Sequence, residues 1–141
     1  MKLEVAHRIV AATLAHARSR NMLPLAVAVL DARGSPRSLA AEDGTSLRRS
    51  DIAIGKAHGA LAMGLGSRTL MQRAETQPHF IAAVTHAVGG SLIPVPGGVL
   101  IRDAQGALVG AVGVSGDTSD NDEACAIVAI ESVGLKADPG A

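Results

Sequence analysis

Residues Leu108–Ser115 read LVGAVGVS, with Leu108, Gly110, Val112 and Val114 on one side and Val109, Ala111 and Gly113 on the other. A strand that is apolar on both faces has to be covered twice, which makes it the middle layer of a three-layer structure. Leu25–Leu30 (LAVAVL) has the same two-faced character. The material available for the covering layers is small. Ala (26 residues) and Gly (16) supply 42 of the 141 residues, and Phe80 is the sole aromatic. Helices and strands built from such side chains can approach one another closely.

The flanking segments supply the outer layers. At 100° per residue, Leu3, Ala6, Val10, Leu14 and Ala17 fall on one arc, and Val5, Ile9, Ala12 and His16 form a second, weaker stripe. The spacing predicts a helix over 3–20, covered on more than one side. Asp31-Ala32-Arg33-Gly34 is a turn signal, with a second strand running to about Glu42. Ser50-Asp51 would cap a helix of about 51–65 that stops at Gly64-Leu65-Gly66. Shorter helices over 67–75 and 78–87 follow, the second opened by Pro78. Asp103-Ala104-Gln105-Gly106 joins strands 99–102 and 108–115. Asp120 or Ser119, with Glu123 completing a capping box, would start a last helix that ends at Gly134. Helix, hairpin, helices, hairpin, helix is an α+β order. The expected fold is one domain over 1–141, a three-layer α/β/α arrangement around a central antiparallel sheet, with 136–141 as a flexible tail.

Composition excludes several functions. Thirteen basic residues balance thirteen acidic ones, and no row of aromatics exists to stack bases, so a nucleic-acid partner is not expected. Cys125 is alone, which removes a disulfide framework and a thiolate zinc site. The charge-free stretch Phe80–Ile101 has the length of a membrane span, but it contains four Gly, Pro94, Pro96 and His86 and reads as loop and strand. The opening residues MKLEVAHRIV carry Glu4, His7 and Arg8 where a secretion signal needs an apolar run. A cytoplasmic protein without membrane association is expected.

The candidate chemistry is scattered. Gly110–Glu123 (GAVGVSGDTSDNDE) is a Gly-rich strand end leading into a helix start. It can expose backbone N–H groups to an anion, or serve only as a tight turn and helix cap. Four acidic residues there, Asp117, Asp120, Asp122 and Glu123, oppose an anion. Ser115 is not in a nucleophile elbow, because Asp117 stands where that motif needs Gly. His79 and His86, seven apart on one helix face beside Phe80, and His16 on the second stripe of the first helix, are imidazoles in apolar settings. Such groups suit an axial metal ligand as well as a structural role. Lys56 in an Ala-rich helix either serves a site or snorkels to solvent, and Arg68 and Arg73 either hold a carboxylate or are solvated.

The blocks Leu30-Asp31 with Gly34, Asp43-Gly44, Asp51-Ile52-Ala53 with Lys56-Ala57, Pro96-Gly97-Gly98-Val99, and Gly110–Gly116 followed by Asp122-Glu123 together resemble the GlcG/HbpS family, which includes PduO-type domains. The likeness runs in order along nearly the whole chain. It implies a profilin-like fold and a homo-oligomer, a dimer or higher. It also implies haem as a cofactor for some members, with a histidine ligand in the first helix. His16 is the matching position here and the first metal ligand to test, ahead of His79 and His86, with Gly97 and Gly98 as backbone contacts to the cofactor. The family's Glu-x-x-Glu iron site is incomplete here, since its second carboxylate is replaced by Ile54.

Two functions from different classes are therefore expected. One is a binding protein for haem or a related tetrapyrrole in an apolar pocket. The other is a cofactor-independent enzyme on a small hydroxy or oxo acid, in which Lys56 or Arg68 holds the carboxylate and Lys56, Asp31 or Asp117 is catalytic.

Overall fold

In the computed structural model, which describes all 141 residues, the chain runs α1 (Leu3–Ser19), β1 (Ala26–Asp31), β2 (Pro36–Ala41), α2 (Arg49–Met63), α3 (Ser67–Thr76), α4 (Pro78–Ala87), β3 (Gly98–Arg102), β4 (Leu108–Ser115), α5 (Ser119–Ser132) and β5 (Lys136–Asp138). The five strands form one sheet in the order β2-β1-β4-β3-β5, with every neighbouring pair antiparallel. The two-faced strands β1 and β4 lie at its centre and pair residue for residue from Ala26↔Ser115 to Asp31↔Gly110.

The two faces of the sheet are packed by different means. On one, Val27, Val29, Val99, Ile101, Val112 and Val114 meet Ala6, Ile9 and Val10 of α1 and Ala126, Ala129 and Ile130 of α5. On the other, Ala26, Ala28, Leu30, Leu100 and Ala111 face Ala53, Ala57 and Ala60 of α2. There α2 rests directly on backbone. A Cβ on Gly113 would overlap the carbonyl oxygen of Ala53, and one on Gly98 would overlap that of Lys56. The sheet therefore needs glycine at both positions to seat this helix. Outside α2, a smaller cluster of Leu70, Ile81 and Leu92 ties α3, α4 and the following loop together.

Several local expectations are corrected. Leu108 shares a face with Ala111, not with Val112, because Ile101 pairs with Gly110 and Arg102 with Leu108, leaving Val109 as an extra residue. One inserted residue reverses the alternation beyond it. Helix α2 starts at Arg49 with no side-chain cap, so Ser50 and Asp51 lie within its first turn. It stops at Gly64, whose φ of 65° is the left-handed conformation that glycine adopts freely. Helix α5 is capped by Thr118, whose hydroxyl accepts from the N–H of Asn121 at 3.2 Å, rather than by Ser119 or Asp120. The segment 136–141, expected as a flexible tail, is docked instead. Residues 136–138 extend the sheet beside β3, Arg102 pairs with Asp138 at 2.8 Å, and the Pro139 carbonyl accepts from the N–H of Arg68.

The charge-free stretch ends as helix, loop and strand, and no helix is long and apolar enough to cross a membrane.

Candidate functional site

At the end of the sheet where β1 begins and β4 stops, α2 and α5 approach each other from opposite faces. Lys56 is joined to α5 across this gap. Its side chain is 3% exposed, and its Nζ donates to Asp122 Oδ2 at 3.1 Å and to the carbonyl of Val114 at 2.8 Å. Burial pushes the Lys56 amine down and the Asp122 carboxyl up from their ordinary values, and the attraction between them opposes both shifts. Asp122 also accepts from the N–H of Asp117 at 3.0 Å, so it anchors the turn before α5. A lysine in an Ala-rich helix packed on glycines has no route to solvent. The carboxylate buried beside it offsets part of the cost of burying its ammonium.

The other polar candidates form similar ties. Arg68 donates from Nε to both carboxylate oxygens of Glu123, at 3.0 and 3.2 Å, and pairs with Asp120, fixing α3 to α5. Arg73 lies 5.1 Å from the centre of the Phe80 ring. Asp117 accepts from the N–H groups of Leu23 and Thr118 and from the Asn121 amide. These bonds, the Asn121 one first, hold its carboxyl below the usual range. Asp31 Oδ1 accepts from the N–H groups of Arg33 and Ser35 in the β1–β2 turn, and the Ser35 bond is the leading cause of its lowered pKa. Gly97 and Gly98 pack closely against Lys56, with no room for a Cβ at either position.

The surface carries four clefts. The largest, about 290 Å³, lies between the end of α1 and the start of α5 and is lined by His16, Arg20, Met22, Asn121 and Ala124. His16 is half-buried there. Among the side chains named from the sequence as candidate ligands or catalytic groups, it is the one that lines a cleft. His79 and His86 are exposed on α4, whose single buried residue is Ile81. Lys56, Arg68, Asp31 and Asp117 line none of the four. Met22 and Arg20 had no sequence signal, and Asn121 stood unremarked inside the Gly110–Glu123 stretch; only the fold brings the three to His16. A second cleft of about 230 Å³ is lined by Arg33, Gly34, His58, Leu61 and Val88 among others. In it the Nδ1 of His58 lies 2.8 Å from the carbonyl oxygen of Ser91.

A haem would need one nitrogen donor at an opening with apolar wall and a cation for its carboxylates. His16 is the one nitrogen donor here, with Met22 and Ala124 as apolar wall and Arg20 as the cation, which fits that need. No cluster of three or more His, Cys, Asp or Glu exists that could hold a bare metal ion.

A family model described as haem degrading protein HbpS-like matches residues 1–131. Among solved structures, the complex of PduOC with haem superposes with a TM-score of 0.84 at 24% identity, covering 96% of each chain. An HbpS double mutant from Streptomyces reticuli gives 0.80 at 26% identity, over 95% of this chain and 87% of that one. The Klebsiella pneumoniae protein ORFY gives 0.83 at 22% identity, over 95% and 90%. No curated protein matches the sequence significantly. With the model spanning 131 of 141 residues and the three-layer fold shared throughout, this chain belongs to the HbpS-like family.

Proposed function

We propose that the protein binds haem or a related tetrapyrrole in the cleft between α1 and α5, with His16 as the iron ligand. The observation that carries this reading is the position of His16, half-buried in the largest cleft of the chain beside Met22 and Arg20. Membership of a family whose model is described by haem degradation, and a fold shared with a protein crystallised with haem, support the choice of ligand. Bound haem supplies an iron centre. The protein's part is to hold it through an imidazole, cover one face with Met22 and Ala124, and pair a propionate with Arg20. The cleft, at about 290 Å³, is at the bottom of the roughly 300–1,000 Å³ range of small-molecule pockets, and haem is a large ligand. We therefore propose that a second copy of the chain covers the remaining surface, in a cytoplasmic homo-oligomer of two or more chains.

Titration of the purified protein with haemin, followed at the Soret band, tests the reading, together with His16→Ala and sizing by light scattering. A red-shifted Soret band that saturates at a fixed stoichiometry, and loss of that band in His16→Ala, is the expected result. An unshifted spectrum, or an unchanged titration in the variant, refutes it.

A further inference from the structure

We propose that the cleft between the α1–β1 connection and the start of α2 binds a small organic monocarboxylate, with the carboxylate paired to the guanidinium of Arg49 and the carbon chain laid on Leu23 and Pro24. The site shares no lining residue with the His16 cleft, and it does not depend on haem binding.

Four arginines are half-buried: Arg49, Arg68, Arg73 and Arg102. Arg68 and Arg102 pair with carboxylates, and Arg73 lies against the Phe80 ring. Arg49 has neither kind of partner. One of its terminal nitrogens donates to the Ser115 hydroxyl at 3.1 Å, and no carboxylate of the chain pairs with it. Ser115 is fully buried at the end of β4, so this bond fixes the guanidinium to the sheet. A guanidinium carries five N–H donors, and one neutral acceptor leaves most of them unanswered. The carboxylates on the surrounding segments are taken. Glu42 is held by Arg18 and by the N–H of Leu25, Asp51 by Arg48, and Asp117 by the N–H groups of Leu23 and Thr118. Asp43 is exposed and makes no ion pair. The charge of Arg49 also helps to lower the Lys56 amine, and Asp122 answers only Lys56 of these two neighbouring cations. An anion is missing from this end of the sheet.

The cleft beside Arg49 has the room and the wall for one. Its volume is about 210 Å³, and no acidic residue lines it. Gly44, with φ at 89°, and Gly116 contribute backbone without side chains. Ser46 adds a hydroxyl, and its N–H bonds to no carbonyl of the chain. Leu23 and Pro24 supply the apolar part. At roughly 30 Å³ per water the space is that of about seven waters, enough for a short-chain acid. One guanidinium fork matches one carboxylate. A phosphate dianion would find only half the charge it needs, and Leu23 and Pro24 would offer it nothing.

The test is a titration of the isotope-labelled full-length chain with sodium butyrate, followed by amide chemical shifts. Sodium chloride at matched ionic strength, butyramide and inorganic phosphate serve as controls. The expected result is saturable butyrate shifts centred on Leu23, Gly44, Ser46 and Gly116, none with butyramide, and weaker binding of phosphate. Arg49→Gln should weaken butyrate about tenfold or more. Leu23→Ser changes a residue that is 62% exposed, so it should fold normally and weaken butyrate severalfold while leaving acetate unchanged. If Arg49→Gln fails to fold, Leu23→Ser decides. Butyrate shifts no larger than those with chloride, equal binding of butyramide, or wild-type affinity in folded Arg49→Gln overturns the site. Phosphate binding more tightly than butyrate overturns the carboxylate as its ligand.

Discussion

Replacing Lys56 by Met removes a charge while keeping a long apolar stem in the same space. Asp122 then remains buried, with a side chain 2% exposed, holding the N–H of Asp117 but no cation. Removing one partner of a buried ion pair costs about 3–5 kcal/mol, a large part of the roughly 5–15 kcal/mol that stabilises a domain. With a urea m-value of about 2 kcal/mol/M, the unfolding midpoint should fall by about 2 M with the slope unchanged. Asp122→Asn should do comparable damage by leaving the ammonium alone. The double variant should be more stable than the sum of the two losses implies, because neither charge remains. The pH dependence gives the sign. Burial already raises the Asp122 carboxyl. In Lys56→Met its penalty is therefore full above the raised folded value and relieved as the pH falls through that value, where the folded state takes up a proton. Burial already lowers the Lys56 amine, so the penalty of Asp122→Asn is relieved in the opposite direction, as the pH rises. Urea midpoints across pH 5–9 measure both slopes. Midpoints within about 0.5 M of wild type, or two variants with parallel pH slopes, refute the reasoning.

Gly113→Ala should destabilise by about 1–3 kcal/mol or more, seen as a lower thermal midpoint, because its methyl meets the Ala53 carbonyl and α2 must lift; an unchanged midpoint means the helix is not seated there. Cys125 is fully buried and its thiol is pushed up to about 11 by burial. Folded protein at pH 8 should therefore be inert to Ellman's reagent and react only after denaturant is added, and rapid stoichiometric labelling of the native state contradicts this. Asp31 and Asp117 have carboxyls held below the ordinary value of 3.8 by hydrogen bonds. Their stabilisation is present above that value and lost as the pH falls through the lower folded values. Asp117→Asn should flatten the acid limb of a stability–pH curve, and an identical limb argues against the assignment.

The layering was legible because β1 and β4 carry apolar residues on both faces, which a two-layer protein does not need. The bulge at Val109 was not, since Leu108 and Val109 are both apolar and pattern alone does not say which face each takes. Strand β5 is three residues, Lys136-Ala137-Asp138, too short and polar to stand out, and it exists through its pairing with β3 and the Arg102–Asp138 contact. The sequence offered Ser119 or Asp120 as the cap of α5, and the residue before them, Thr118, takes it, next to an Asp117 that is held by the distant N–H of Leu23. For the histidines, spacing showed that His79 and His86 share a helix face, but not that α4 turns this face outward. His58 escaped notice because its partner is a backbone carbonyl 33 residues away. Lys56 was read as serving a site or snorkelling to solvent; its burial against Asp122 removes the second reading, and Asp122 was visible only as part of a helix start.

The unequal packing of the two faces means that the protein tolerates change unevenly. On the side of α1 and α5, Val, Ile and Ala meet as side chains, and one branched residue can replace another with local adjustment. On the α2 side, main chain touches main chain, and at Gly98 and Gly113 a single added carbon has nowhere to go. A saturation library should record broad neutrality at Val27 or Val112 and near-complete intolerance at those two glycines. Distant descendants of this chain can thus exchange most of their greasy interior while keeping a few residues that have no side chain at all.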